Sequence, residues 1–329
     1  MKKIVVGCDL YLKEFMYSLP NNFKNKIIKN FPNIKFIPIN TPNNISGNDK
    51  VEIYWGNRID KKIFNLCPNI RWVHFGSVGV DRLDKLNTKR KLIVTNSSQV
   101  MNEAMVATIL SYIFSLSRGL NFLFLDKINK TLSRSKYDTY KNYIQDCFGS
   151  NCLIVGYGSI GRDLALVLKS LNMNISAISR KKKSNGNLIN KFYRLNDLNK
   201  IVKNYDYIIN LLPINNETKD VFNLSVFKKM KNTCFYINVG RGETNDEKAL
   251  YYSLKNKLIG GAALDVYRKE PLNSSSKLYK LKNIILSPHV ACFSKKYWDR
   301  ETKLFNENLD CYMKNQYSKM KNIIKNDFI

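Results

Sequence analysis

The chain has 329 residues, 44% of them hydrophobic, which is long for one core and comfortable for two. No apolar run reaches the roughly 18 residues that a membrane span needs. The net charge of +28 comes from Lys spread through every region, with Arg180-Lys181-Lys182-Lys183 as the longest basic run, so it reads as biased usage that attracts small anions and not as a nucleic-acid surface.

The first residues, Lys2-Lys3-Ile4-Val5-Val6, predict a buried strand, because Asp9 and Lys13 return charge too early for a signal segment. Apolar, β-branched runs at 2–7, 34–39, 51–55, 70–75 and 91–96 predict further strands. Helix-length polar stretches such as 11–30 and 60–66 separate them, which implies βα units and a parallel sheet. Residues 101–118 predict a helix that Gly119 stops. Its apolar residues cover more than one face, so it is expected to be buried on two sides, against other elements or a second copy of the chain. A second βα series follows, with strands at 152–156, 174–178, 205–212, 234–239, 260–266 and 283–287 and helices at 159–171, 197–203, 223–230 and 245–256. The tail predicts a helix at 294–315, and the Lys- and Asn-rich residues beyond about 316 are expected to fray.

The segment Gly156-Tyr157-Gly158-Ser159-Ile160-Gly161 stands between an apolar strand and a helix. In that setting G-x-G-x-x-G is a dinucleotide signal: Gly156 allows the tight turn, Gly158 lets a pyrophosphate approach the backbone, and Gly161 lets the helix pack close to the strand. Unpaired N–H groups at the helix start then face the phosphates. The following strand ends in Ser179-Arg180-Lys181, with no carboxylate to read a ribose 2′-hydroxyl. Arg180 can grip a 2′-phosphate, aided by the Ser179 hydroxyl and the field of Lys181, so NADP(H) is the expected cofactor, with NAD(H) second.

Arg241, Glu270 and His289 each follow a strand-like run of the second series, where ligands collect in an open parallel sheet. Reduction of a keto carbon needs a proton donor, which a histidine supplies near neutral pH. A carboxylate beside it favours the imidazolium, and an arginine fork suits a substrate carboxylate. Of the two histidines, His74 lies inside a strand-like run and reads as packed, whereas His289 stands in a Ser-Pro-His turn just past a strand, a position that favours it as the acid.

From Gly76 to about Ala291 the chain resembles the D-isomer-specific 2-hydroxyacid dehydrogenase family, nearest its glyoxylate/hydroxypyruvate reductase branch. The resemblance rests on Gly76-Ser77-Val78-Gly79-Val80-Asp81, the glycine turn, Asn210-Leu211-Leu212-Pro213 with Thr218, Asn238-Val239-Gly240-Arg241-Gly242, Ala263-Leu264-Asp265-Val266, Glu270-Pro271-Leu272 and Ser287-Pro288-His289. It implies that Arg241 binds substrate, Glu270 supports the acid/base His289, and Val78 and Gly79 offer amide groups to the substrate carboxylate. It also places Leu212, Pro213, Thr218, Val239, Gly240 and Asp265 at the cofactor.

The expected architecture is therefore α/β, with two doubly wound parallel-sheet domains: a Rossmann cofactor domain, 100–291, inserted into a flavodoxin-like substrate domain, 1–99 plus 292–329. The expected activity is hydride transfer between NAD(P)H and a small 2-keto acid, giving the D-2-hydroxy acid. An intact Arg241, Glu270 and His289 set argues against a regulatory or scaffold protein on the same fold. No metal, nucleic-acid or membrane partner is expected, and a homodimer through helix 101–118 is. Seven scattered cysteines without a C-x-x-C pair fit reduced thiols in the cytoplasm.

Overall fold

The computed structural model describes residues 3–10, 18–39, 50–80, 83, 88–180 and 187–328. In chain order the strands are β1 (Ile4–Cys8), β2 (Ile34–Pro38), β3 (Val51–Gly56), β4 (Trp72–Phe75), β5 (Ile93–Asn96), β6 (Asn151–Val155), β7 (Asn174–Ile178), β8 (Lys191–Tyr193), β9 (Tyr207–Asn210), β10 (Phe235–Asn238), β11 (Gly261–Leu264), β12 (Ile284–Leu286) and β13 (Ile323–Asn326). The helices are α1 (Asn21–Asn30), α2 (Lys61–Leu66), α3 (Asn102–Ser117), α4 (Leu120–Ile128), α5 (Arg134–Asp138), α6 (Ser159–Ser170), α7 (Leu198–Ile201), α8 (Leu224–Lys229), α9 (Glu247–Lys255) and α10 (Tyr297–Met313). The chain divides into two compact units, Met1–Met101 with Phe293–Ile329, and Asn102–Cys292.

The first unit is built on a sheet ordered β13-β5-β4-β3-β1-β2. From β2 to β5 all pairs are parallel, and the strand order reverses between β1 and β3, the flavodoxin-like arrangement. β1, β4 and β5 are buried along their whole length, as strands covered on both faces must be. On one face α10 lays down Trp298, Phe305 and Tyr312, with Phe305 stacked on Trp55 at 4.0 Å between ring centres. His74 is fully buried there, 2.7 Å from Thr95 Oγ1 and 3.2 Å from Glu301 Oε1, a packed strand residue as its sequence context implied.

The second unit carries a sheet ordered β12-β11-β10-β9-β6-β7-β8, parallel throughout. The order reverses between β6 and β9, which is the Rossmann pattern. α6 buries Gly161, Leu164, Ala165 and Leu168, a single stripe at helical spacing, against this sheet.

One expectation is corrected, and two elements, α4 and β8, were not foreseen. The tail beyond 316 does not fray: Ile323–Asn326 pairs antiparallel with β5, so the first sheet is mixed, and Asp327 accepts from the Leu92 amide at 3.0 Å. The Ile323-Ile324 pair inside a polar tail was the readable sign of an edge strand. Gly119 ends α3 but does not end the helical region, because its left-handed backbone (φ 63°) redirects the chain into α4 through a 71° bend. β8 spans only three residues and is poorly buried, so it carried no periodic signal. Among the described residues no single helix is long and apolar enough to cross a membrane.

Candidate active site

The glycine turn sits at the carboxyl end of β6, where the second sheet reverses its order. Gly156 has φ 105°, and its amide and that of Tyr157 donate to Ile178 O at 3.1 and 3.2 Å. A Cβ on Gly156 would lie 2.9 Å from the Leu211 carbonyl, and one on Gly161 would lie 3.0 Å from Gly156 O. The turn is thus compressed against β9 and against its own helix. A Cβ on Gly158 would meet nothing within 4 Å, and Gly158, the N-cap of α6, brings no side-chain cap to the helix start. A tight turn that opens at Gly158, at the N-terminus of α6, fits a pyrophosphate.

The surrounding strand ends complete this edge. Ser179 and Arg180 follow β7; the Arg194 guanidinium donates to both of their carbonyls, and the Arg180 side chain is left exposed. Lys181 lies outside the described residues. Leu212 N donates to Asn210 Oδ1 at 3.1 Å, and Thr218 Oγ1 donates to Pro213 O at 2.7 Å. Val239 N donates to Asn210 O at 3.2 Å. A Cβ on Gly240 would be 2.6 Å from Leu212 O, so the loops after β9 and β10 press against each other.

Next along the same edge lies an ionisable cluster. His289 Nδ1 and Glu270 Oε2 are 2.7 Å apart. A carboxylate only accepts, so Nδ1 carries the hydrogen and Nε2 is the nitrogen left for chemistry. The other Glu270 oxygen accepts from the Tyr267 amide at 3.0 Å. The hydrogen bond to Glu270 raises His289 above the ordinary imidazole range; burial opposes this, and the charges of Glu270 and Asp265 reinforce it. Burial pushes Glu270 up, but the bonds from His289 and the Tyr267 amide, with the charges of His289 and Arg241, hold it below the usual carboxylate range. Arg241 is therefore close enough to act on both. Its Nη1 donates to Gly240 O at 2.9 Å, and its own carbonyl accepts from Thr244 Oγ1 at 2.6 Å and Asn238 Nδ2 at 3.2 Å.

Asp265 is almost fully buried. Its oxygens accept from Ser287 Oγ at 2.5 Å and from the Val290 and Ala291 amides, both at 2.9 Å. Its carboxylate is committed to holding the turn that carries His289. Among the described residues no His, Cys, Asp and Glu group is arranged to hold a metal ion.

Sequence reasoning missed the neutral scaffold of this site. Asn210 and Asn238, both fully buried, join Tyr236, Thr244 and Asn245 in one hydrogen-bonded network beneath Arg241. An asparagine closing an otherwise apolar strand was the available sign, since a buried amide must find partners. Tyr112 and Ser287, whose oxygens are 2.5 Å apart, gave no comparable sign.

In the first unit, the Gly76–Gly79 turn follows β4. Its four carbonyls accept in sequence from Tyr297 Oη at 2.9 Å, Ser97 N at 3.1 Å, Asn96 Nδ2 at 2.7 Å and Ser77 Oγ at 2.9 Å. Among the described residues no protein acceptor takes the Val78 or Gly79 amides. Tyr297 and Asn96 were not among the residues expected to matter.

Residues 110–291 match the family described as D-isomer specific 2-hydroxyacid dehydrogenase, NAD binding domain. The chain belongs to this family. The glyoxylate reductase of Pyrococcus horikoshii is 32% identical to it over 244 residues, 72% of this chain and 71% of that one. The probable 2-ketogluconate reductase of Dictyostelium discoideum is 32% identical over 243 residues, 71% of this chain and 70% of that one. As a member of the D-2-hydroxyacid dehydrogenases the protein is an oxidoreductase that uses a nicotinamide dinucleotide to interconvert 2-keto and 2-hydroxy acids. The family fold extends over the whole chain. A D-isomer specific 2-hydroxyacid dehydrogenase from Xanthobacter autotrophicus Py2, solved with NADPH and MES, superposes with a TM-score of 0.83 at 20% identity, covering 99% of this chain and 98% of that one. An NADPH-dependent glyoxylate/hydroxypyruvate reductase from Sinorhizobium meliloti, solved with NADP and sulfate, gives 0.80 at 19% identity, covering 98% of each chain.

Proposed function

We propose that the protein reduces a small 2-keto acid of the glyoxylate or hydroxypyruvate type to its D-2-hydroxy acid, with NADPH preferred to NADH. The carrying observation is the His289–Glu270 contact of 2.7 Å beside Arg241. The reductase relatives named above support the substrate class.

When bound, the nicotinamide supplies the hydride. Gly156 to Gly161 would hold its pyrophosphate, and Leu212, Pro213, Thr218, Val239, Gly240 and Asp265 would frame the rest of the dinucleotide. Arg241 orients the substrate carboxylate through its planar fork. The amides of Val78 and Gly79 form an anion-binding turn suited to a carboxylate. As the carbonyl oxygen gains charge, His289 Nε2 delivers a proton to it. Glu270 keeps the imidazole protonated and fixes its tautomer, and in the reverse direction the neutral imidazole takes the proton back.

The cofactor preference rests on Arg180, which stands where a ribose-reading carboxylate would repel a 2′-phosphate. Two structural neighbours hold NADPH or NADP. Arg180→Ala is expected to lower the NADPH-to-NADH ratio of kcat/KM by about 10-fold or more, the worth of a charge-assisted hydrogen bond. An unchanged ratio would show that this loop does not read the phosphate.

The partner proposed is a small keto or hydroxy acid, not nucleic acid or a membrane. We also propose a homodimer through α3, because Phe114 on α3 and Leu120, Phe124 and Ile128 on the adjoining α4 are exposed apolar residues. Cysteines free of disulfides fit a cytoplasmic setting. A panel of keto acids with NADPH and NADH, followed by cofactor absorbance, tests the reading. Turnover of glyoxylate or hydroxypyruvate supports it, and oxidation of neither cofactor by any member overturns it.

A further inference from the structure

We infer that Tyr112 and Thr108 of α3 are positioning residues for the proton-donating histidine, clamping the two ends of the turn that carries it. The inference rests on the reading of His289 as the proton donor.

His289 is held in the left-handed region, φ 57°. Residues other than glycine persist there only when their surroundings impose it. The imposition is visible. His289 N donates to Asp265 O at 2.8 Å and to Ser287 O at 3.1 Å, and the Asp265 carboxylate takes the next two amides. This pins the middle of the turn to β11. Its ends are pinned by α3. Thr108 Oγ1 donates to Ala291 O at 3.0 Å, and Tyr112 Oη meets Ser287 Oγ at 2.5 Å. The two residues lie one helical turn apart on one face of α3, so a single rigid helix spans the turn from 287 to 291.

The direction of the second contact follows from its far end. Ser287 Oγ also lies 2.5 Å from Asp265 Oδ1, and a carboxylate only accepts. Ser287 therefore spends its hydrogen on Asp265, and Tyr112 is the donor to Ser287. Burial pushes the Tyr112 phenol up to about 12, with the Asp265 charge adding to this, so it keeps its proton through the working range. The result is a chain, Tyr112 to Ser287 to Asp265, that ends on the group fixing the histidine turn. The charged groups that act on His289 itself are Glu270, Asp265 and Arg241; Tyr267 and Cys292 border Asp265, and both are kept protonated by burial. Loosening the chain frees the turn, lengthens the His289–Glu270 contact and lets the imidazole relax toward its ordinary titration.

The test is Tyr112→Phe, which removes one hydroxyl and keeps the ring. With only two histidines, one of them buried in the first unit, the imidazole of His289 is followed directly by NMR titration. The expected result is a kcat for keto-acid reduction lower by about 2- to 10-fold, the worth of one neutral hydrogen bond, with NADPH affinity unchanged and the His289 titration moved down. In a Ser287→Ala background the same substitution should add nothing, because the two act through one chain. Thr108→Val tests the other end of the turn and carries the question if Tyr112→Phe fails to fold. A variant that lowers only Tm, with kcat and the His289 titration unmoved, overturns the inference. Loss of the role of His289 itself would show separately, as full activity in His289→Ala.

Discussion

The Gly76–Gly79 turn of the first unit and the Ser287–Ala291 turn of the second are both anchored at the end of a sheet strand, but by opposite chemistry. Among the described residues the first is tied by neutral donors, Tyr297, Asn96, Ser77 and the Ser97 amide, each taken up by a backbone carbonyl. What it offers outward is backbone N–H, which does not titrate. The second is tied by a buried carboxylate and carries an imidazole paired with another carboxylate. What it offers is a proton whose presence depends on pH. On the proposed reading, the turn that only binds is built without charge, whereas the turn that gives and regains a proton has charges around it to set its affinity.

Substitutions that break this contrast are expected to rank in size. On the proposed mechanism, His289→Ala removes the group that delivers the proton. Its kcat for reduction should fall by about 10²–10⁴-fold, while the dissociation constant for NADPH stays near the wild-type value. Near-full kcat in this variant would remove the histidine from the chemistry. Arg241→Lys keeps a charge near Glu270 but loses the fork. Steady-state kinetics should show kcat/KM lower by about 10- to 100-fold, as expected for lost charge-assisted bonds, and an unchanged value would make Arg241 a structural residue. The smallest effect belongs to the uncharged turn. Tyr297→Phe withdraws the donor to Gly76 O and should raise KM for the keto acid by about 2- to 10-fold with the shape of the pH profile unaltered. A change in that profile would show that the first turn is coupled to a titrating group after all.

What could be read in advance follows the same division. Arg241 and His289 were legible as candidates because each stands just past a strand, and Glu270 because it lies in the loop that follows the strand between theirs. The glycine turn was legible because two short-range steric demands, at Gly156 and Gly161, flank an open Gly158 within six residues of chain. Tyr297 and Tyr112 were not legible, since their partners lie 221 and 175 residues away and a tyrosine among the buried residues of a helix looks like any core residue. The fold shows the same limit. The long parallel strands announce themselves by continuous burial, but β13 gains its place only by adding to β5 from far along the chain, and α4 was hidden behind a glycine that bends the helical path instead of ending it.

The most direct test of the central claim, that Glu270 holds His289 protonated as the acid, is the pH dependence of kcat for keto-acid reduction in wild type and in Glu270→Gln. Reduction needs the imidazolium, so its rate falls as pH rises through the titration of His289. Because the Glu270 bond raises that titration above the ordinary imidazole range, the wild-type fall should lie above about pH 6.5. Glutamine keeps an acceptor but removes the charge. The account predicts that the fall moves to lower pH in the variant. A fall at the same pH in both proteins would contradict it.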